Sequence, residues 1–446
     1  MTRRSTSTSS FGTSRRESHD ASAFYSRFKA PEVSADDAIH PHKAIDKLIV
    51  GDARQMPEVP DASVALVVTS PPYFSGKEYE LALGTGAIPA TYLEYLALLR
   101  DVFAECCRKL EPGGRIAVNV ANLGRRPYRS LSGDVVRILQ DDLGLLLRGE
   151  ILWVKQKGAS GSCAWGSFQS PANPVLRDLT ERVVVASKGR FDRALKAPER
   201  AALGLPFQAT CGREEFMADT LDVWEIAPES ARRVGHPAPF PVELPERLVE
   251  LFTYFGDLVL DPFVGAGSTA VAALRCGRHF AGYDLDEGYI QLAEQRVAEE
   301  RQRLLGTPSP AAVPSRSAKQ LAQSLLEQAG FTDVRGEARQ PGGVKVSFAA
   351  RGSGGKEWLF ELCGGLGRHS PGLERGEVMW RSIGRATVLA HTAGLPLVLL
   401  SPKLPPRRSG AWRTLQAVCG PGRPVHAVVD LTAQSAPSML RAICGS

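Results

Sequence analysis

Two short stretches put reactive residue types where an open sheet would present them. The first is VVTSPPYFSG (Val67 to Gly76), an apolar run that stops at Ser70-Pro71-Pro72-Tyr73. Proline fixes φ and drives the residue before it towards extended backbone. These four residues therefore form a stiff arm at the carboxyl end of a strand, the edge at which open α/β sheets bind ligands. The second is DLVLDPFVGAGSTAVAAL (Asp257 to Leu274), which reads as a strand, a Gly-x-Gly turn and a helix start. Its glycines let backbone approach a ligand closely, and a helix N-terminus offers free N–H groups to an anion. The run Gly265-Ala266-Gly267-Ser268-Thr269-Ala270 fits the dinucleotide fingerprint. Asp284, at the end of the next strand HFAGYD, suits the ribose hydroxyls of a nicotinamide or an S-adenosylmethionine nucleotide. Asp52 in IVGD is a second strand-end acid, a candidate for the adenine side. Both carboxylates also have a plainer use, as turn or N-cap acceptors.

The elements that must position these residues alternate along the chain. KLIVGDAR and SVALVVTS are apolar enough to be strands buried on both faces. TYLEYLALLRDVFAECCRKL (Thr91 to Leu110) has helical spacing and meets Glu111-Pro112-Gly113-Gly114, a helix stop, before the strand RIAVNVANL. LSGDVVRILQDDLG reads as helix, and GEILWVKQ and ERVVVASKG read as strands around a polar loop containing SGSCAWGSFQSPANP. Strands alternating with helices predict a mixed, mostly parallel, doubly wound α/β sheet. The pattern breaks between residues 190 and 235, an insertion with a task of its own, and resumes to the end of a helix near Arg303.

The chain has 446 residues, too many for one ordinary core, so a large domain with a smaller one appended is expected. A net charge of +6 leans towards a polyanionic partner. No apolar run approaches bilayer length and the N-terminus lacks a signal-peptide core, so a cytoplasmic protein without membrane partners is expected. Eight cysteines show no C-x-x-C pair or zinc-finger spacing, so they read as reduced, buried hydrophobes and no metal site is expected.

TSPPY, followed by HPAPFPVELPERL (His236 to Leu248) and then DPFVGAGST, resembles the beta-group amino-methyltransferases of DNA, in which the catalytic half precedes the cofactor half. The similarity runs from about Lys47 to Gln302. It implies a Rossmann-like S-adenosylmethionine-dependent methyltransferase fold, with S-adenosyl-L-methionine as cofactor and double-stranded DNA as substrate. It also implies residue roles. Phe263, Gly265 and Gly267, with Ser268, would line the methionine end of the cofactor, and Asp261 would orient that turn. Asp284 would take the ribose hydroxyls, Asp52 would lie near the adenine, and Phe240 with Pro241 would close over the cofactor. Ser70, Pro71, Pro72 and Tyr73 would form the catalytic arm.

The chemistry gives that arm its reason. An exocyclic amino group is a poor nucleophile because its lone pair is delocalised into the ring. Acceptors preset at the amino hydrogens, the Ser70 hydroxyl and the Pro71 carbonyl, would favour a tetrahedral nitrogen. Tyr73 would stack on the flipped base. Carbon-5 methylation is disfavoured, because it needs a thiolate, usually in a Pro-Cys pair, and the sequence has none. In the resembling family Ser at the head of the motif goes more often with cytosine N4, with adenine N6 as the alternative. A catalytically inactive DNA-binding protein and a nicotinamide enzyme are the rivals from other classes.

The domain organisation expected is a largely disordered tail (1–40), then a methyltransferase domain (41–304), a linker (305–317) and a C-terminal α/β domain (318–446). The methyltransferase domain divides into a catalytic half (44–189), a target-recognition insertion (190–235) and a cofactor half (236–304). Arg190, Arg193, Lys196, Arg200 and Arg213 of the insertion are candidate DNA contacts. The C-terminal element order is similar to the restriction-endonuclease-like core. Glu361-Leu362-Cys363 stands where such nucleases carry Glu-x-Lys, so a degenerate relative used for binding or assembly is expected. A cognate restriction endonuclease is a candidate partner, and a monomer and a homodimer are both compatible with the sequence.

Overall fold

The computed structural model describes residues 32–42, 45–72, 89, 91–122, 128–155, 166–176, 178–229, 240–305, 318–340, 343–365, 370, 372–392, 394–433 and 435–445. The chain divides into two compact units, one comprising Met1–Phe207 with Asp222–Leu305, the other Gln208–Leu221 with Gly306–Ser446.

The first unit is built on an eight-stranded sheet. Its strands are β1 (Lys47–Val50), β2 (Val64–Thr69), β3 (Leu110–Val120), β4 (Leu146–Val154), β5 (Thr180–Ser187), β6 (Val223–Glu225), β7 (Leu258–Asp261) and β8 (His279–Asp284). Their order is β1-β8-β7-β2-β3-β5-β4-β6. Only β5 runs against its neighbours β3 and β4, and every other neighbouring pair in the sheet is parallel. The sheet is therefore mixed and mostly parallel, as the alternation of elements predicts.

Helix α1 (Tyr92–Lys109) starts at Thr91, whose hydroxyl accepts the Glu94 amide while Glu94 accepts the Thr91 amide. Its apolar side, Tyr95, Leu99, Val102 and Phe103, packs with Leu131 and Val135 of α2 (Leu131–Arg137) on one face of the sheet. Three helices, α5 (Glu243–Phe252), α6 (Ser268–Arg275) and α7 (Glu287–Leu304), follow the short α3 (Ala197–Ala202), while the short α4 (Arg213–Asp219) belongs to the second unit. Leu244 and Leu248 of α5, Ala270 and Val271 of α6 and Val297 of α7 pack on the other face. The chain thus leaves β2 towards one face and the adjacent β7 towards the other. That reversal makes a crevice at their carboxyl ends, the place where such sheets bind ligands.

Three local expectations change. Glu111-Pro112-Gly113-Gly114 does not separate α1 from β3. The strand begins at Leu110, and its register against β2 shifts between Val64 and Leu66, while Gly113 takes φ +75°. The glycines thus shape a bulge rather than a helix stop. The short strand β6 arises in a stretch without strand patterning, because pairing to β4 and burial of Trp224 stabilise it. Within the tail expected to be largely disordered (1–40), residues 32–40 are tied down where Ser34 N–H donates to Gly189 O and His40 N–H to Ala62 O.

The second unit holds α8 (Ala318–Gln328), β9 (Thr332–Arg339), β10 (Lys345–Arg351), β11 (Glu357–Leu362), α9 (Gly376–Thr392), β12 (Leu397–Ser401), α10 (Gly410–Ala417), β13 (Val425–Asp430) and α11 (Ala436–Cys444). Its sheet runs β13-β12-β11-β10-β9, antiparallel through β9, β10 and β11 and parallel through β11, β12 and β13. Apolar clusters cover both faces.

Candidate active site

β2 and β7 pair through Leu66 with Val259 and Val67 with Leu260, so Ser70 and Asp261 reach the carboxyl edge side by side. Asp261 joins them. It is buried in the crevice and accepts the hydroxyl of Thr69 at 2.7 Å, the hydroxyl of Thr269 at 2.7 Å and the Phe263 amide at 3.1 Å. Burial pushes its carboxyl up to about 6, against the three hydrogen bonds that favour the charged form. One side chain thus links the residue before the Ser-Pro-Pro arm, the glycine turn and the first turn of α6.

The turn itself is left-handed at both glycines, Gly265 at φ +47° and Gly267 at φ +79°. A side chain at Gly267 would meet Ala293 of α7, whose Cβ lies 2.8 Å from an ideal Cβ there, so helix packing as well as backbone conformation requires glycine. The Gly265 amide donates to Asp284 at 3.0 Å, and so does the Asp286 amide. Burial raises the Asp284 carboxyl above its usual range, and those amides work in the opposite direction. Ser268 donates its hydroxyl to Phe240 O at 2.9 Å, which pins the start of the Phe240-Pro241 segment to the head of α6.

Asp52 follows β1, whose Val50 pairs with Asp284, so the two strand-end acids lie on neighbouring strands. Asp52 is held by Arg54. Its carboxylate accepts both the backbone amide and the guanidinium of Arg54, whose side-chain hydrogen bond keeps the carboxyl below its ordinary value. It thus makes the turn hydrogen bond that its position also allowed.

On the other side of the arm, Asn119 near the end of β3 donates to Ser70 Oγ at 3.5 Å and to Glu181 Oε2 at 2.6 Å, and Glu181 pairs with Lys155. Sequence reasoning passed over Thr69, Asn119, Glu181 and Lys155. Their signal was positional, since all stand at or next to the ends of strands that share the carboxyl edge. Tyr73 lies outside the described residues, while Ser70, Pro71 and Pro72 lie within them.

Two candidate DNA contacts are corrected. Arg193 and Arg200 are buried, and both pair with Glu111 and Asp257. Both guanidiniums also stack 5.2 Å from the Tyr254 ring centroid. Glu111 lies at the start of β3, just after Leu110, Asp257 precedes β7, and antiparallel β5 delivers residues 190–207 to the same end of the sheet. That is the amino edge, opposite Ser70. The charge here closes the bottom of the sheet.

A crevice at a sheet reversal, a left-handed glycine turn and a strand-end acid define an α/β nucleotide-cofactor site, and the neighbouring Ser-Pro-Pro arm gives it an acceptor side. The chain belongs to the DNA methylase family, which matches residues 64–295, just over half of the chain. It is a DNA amino-methyltransferase of the N4/N6 type, with S-adenosyl-L-methionine as its methyl donor. It is similar to the type II methyltransferase M.MjaI of Methanocaldococcus jannaschii, 29% identical over 58% of this chain and 93% of the relative. A second relative is the type II methyltransferase M.MthZI of Methanothermobacter thermautotrophicus, 28% identical over 58% of this chain and 78% of the relative. Among solved structures, a Thermus thermophilus protein provisionally assigned as a DNA modification methylase, in complex with S-adenosyl-L-methionine, is 33% identical. The match covers 57% of this chain and 94% of that one at a TM-score of 0.43. Among the described residues no helix is long and apolar enough to cross a membrane, and none group into a metal-binding cluster.

Proposed function

We propose that the protein methylates the exocyclic N4 of a cytosine flipped out of double-stranded DNA, with adenine N6 as the alternative acceptor. The observation that carries the reading is the Thr69–Asp261–Thr269 link, which sets the acceptor arm beside the glycine turn in one rigid unit.

The residues present fit the cofactor. A carboxylate at Asp284 suits two ribose hydroxyls, exposed Leu285 beside it offers an apolar surface for the adenine ring, and the left-handed turn brings backbone rather than side chains to the crevice. Phe263, Gly265, Gly267 and Ser268 would hold the methionine end, Asp52 would lie near the adenine and Phe240 would cover the site. S-adenosyl-L-methionine supplies an electrophilic methyl group when bound. The chain's task is to prepare the nitrogen. Ser70 Oγ and the Pro71 carbonyl accept the amino hydrogens and turn the lone pair outward, and Pro71 and Pro72 preset those acceptors so that little reorganisation accompanies transfer. Tyr73 stacks on the base. Asn119 donates towards Ser70 Oγ, which orients the hydroxyl.

Ser at the head of the motif supports cytosine over adenine. Both relatives are named type II methyltransferases, which supports a place beside a restriction endonuclease reading the same sequence. The second unit serves binding or assembly in this reading. Glu361 is paired with Arg385 and accepts from Ser347, and Cys363, at the position expected for a lysine, is buried against Ser382 with its thiol pushed up to about 12. Nucleoside mass spectrometry of DNA incubated with the purified protein and S-adenosylmethionine tests the assignment. N4-methylcytosine supports it, N6-methyladenine moves it to the alternative, and no methylated base refutes it.

A further inference from the structure

Charge is divided unevenly along the chain. Residues 306–446 hold 17 Lys and Arg against 8 Asp and Glu, a formal +9, while the whole chain carries +6, so residues 1–305 carry −3. The part that holds the methyl-transfer site is thus the acidic part, and its net charge gives it no long-range attraction for a polyanion. The excess of cations lies in the second unit.

Several of them share one face of its sheet. Ser347 of β10 donates its hydroxyl to Glu361 Oε2 of β11 at 3.3 Å, and Glu361 pairs with Arg385 of α9. Ala349 and its cross-strand partner Leu359, on that same face, pack with Val378 and Ile383 of α9. Lys345 stands two residues before Ser347 and so belongs to this face as well. Its direct cross-strand partner on β9 is Arg339. On α9, Arg381 lies one turn before Arg385. Burial raises the Cys363 thiol beneath them, and the charges of both arginines work against that rise. Arg339, Lys345, Arg381 and Arg385 are all exposed.

The acids of these strands already have cations. Glu361 has Arg385, Glu337 has Lys319, and Asp333 and Glu357 share Arg335. Arg339, Lys345 and Arg381, by contrast, form no ion pair with any described residue, Glu377 one turn before Arg381 included. Like charges directly opposite each other in a sheet are destabilising, so the Arg339–Lys345 pair works against the fold and calls for an anion from outside. A sheet face and an adjoining helix turn that together present several such cations suit a row of phosphates.

We propose that this face of the second unit binds the sugar-phosphate backbone of the duplex that the first unit methylates. Such contacts carry no base sequence. They supply affinity that the acidic first unit lacks and leave the choice of site to other residues. The inference rests on the methyltransferase reading for the identity of the polyanion, and it commits the second unit to DNA.

The test uses the full chain and reads binding of a labelled duplex by fluorescence anisotropy across a salt series. The parent is compared with an Arg339→Gln/Lys345→Gln/Arg381→Gln triple variant and with a Lys356→Gln/Arg441→Gln control. The control removes exposed cations at the turn between β10 and β11 and on α11, which packs on the other face of the sheet. Each phosphate contact contributes about 0.9 to the slope of log affinity against log salt, which is about eightfold in affinity at 0.1 M salt relative to 1 M. The triple variant should lose about two to three from that slope and bind at least about tenfold more weakly at low salt. Its melting temperature should equal or exceed the parent's, because the cross-strand repulsion is gone. In methyl transfer its KM for DNA should rise while kcat and the methylated sequence stay as in the parent, a split that a merely structural role would not give. The control should keep the parental slope. A triple variant with the parental slope would overturn the inference. So would a control that loses as much slope per charge removed, or a parent whose affinity for duplex DNA does not depend on salt. Binding is read without methyl transfer, so a parent that binds as expected but methylates nothing would refute the methyltransferase reading and leave the face assigned.

Discussion

Asp261→Asn isolates what a buried carboxylate does for this fold. Its carboxyl is pushed from 3.8 to about 6 by burial, a shift worth about 3 kcal/mol. Because the folded value lies above the unfolded one, the folded state holds the proton more tightly between them. Stability from this group is therefore greatest below about pH 4 and falls as pH rises to about 6. Asparagine can keep the geometry. Its carbonyl oxygen takes the place of Oδ1, accepting from Thr69 and the Phe263 amide. Its amide faces Thr269, whose hydroxyl already lies 3.4 Å from Val68 O and can donate there instead. The variant thus removes the titration and leaves the link. Melting curves of both proteins from pH 4.5 to 7.5, a window that spans about 2 kcal/mol of that shift, should show the parent losing ground to Asp261→Asn by roughly 4–8 °C as pH rises, at roughly 2–4 °C per kcal/mol for a unit of this size. A gap that stays constant, or one in which the parent gains with pH, would refute the buried-carboxylate account.

Arg200→Met should destabilise the first unit by about 3–5 kcal/mol, because Glu111 and Asp257 lose half of their compensation inside the protein. Urea denaturation followed by tryptophan fluorescence measures this, and a change under about 0.5 kcal/mol, the size of an ordinary surface substitution, would return Arg200 to the list of surface cations. In the second unit, Arg385 occupies Glu361, so purified protein with magnesium or manganese should leave supercoiled plasmid intact. Metal-dependent nicking that Glu361→Ala abolishes would make the chain a methyltransferase fused to a nuclease.

The strand ends and the glycine turn of the first unit were legible because they depend on local, directional signals. Pro71 and Pro72 mark a strand end, Gly265 and Gly267 mark a left-handed turn, and Asp284 closes an apolar run. What hid from the sequence was pairing across distance. Nothing local distinguishes Arg193 and Arg200, which bind carboxylates at the amino edge, from arginines that face DNA. Only the antiparallel direction of β5 decides it. β9 carries no strand signal for a different reason. Its residues TDVRGEAR form an exposed edge strand with positive φ at Asp333 and Glu337, and carry no apolar alternation. Asp52 shows the limit of motif reading, since nothing local announced that Arg54, two residues away, binds its carboxylate.

The central claim is that Ser70 acts on the acceptor nitrogen and not on the fold. Tritiated methyl transfer to unmethylated DNA, with the modified nucleoside identified, tests it on the parent and Ser70→Ala. Loss of one preorganised acceptor costs a few kcal/mol, on the order of a hundredfold in rate. The account predicts N4-methylcytosine from the parent, about a hundredfold less from Ser70→Ala, and equal cofactor binding and melting temperature in the two. Full transfer by Ser70→Ala, or 5-methylcytosine as the parent's product, would contradict it.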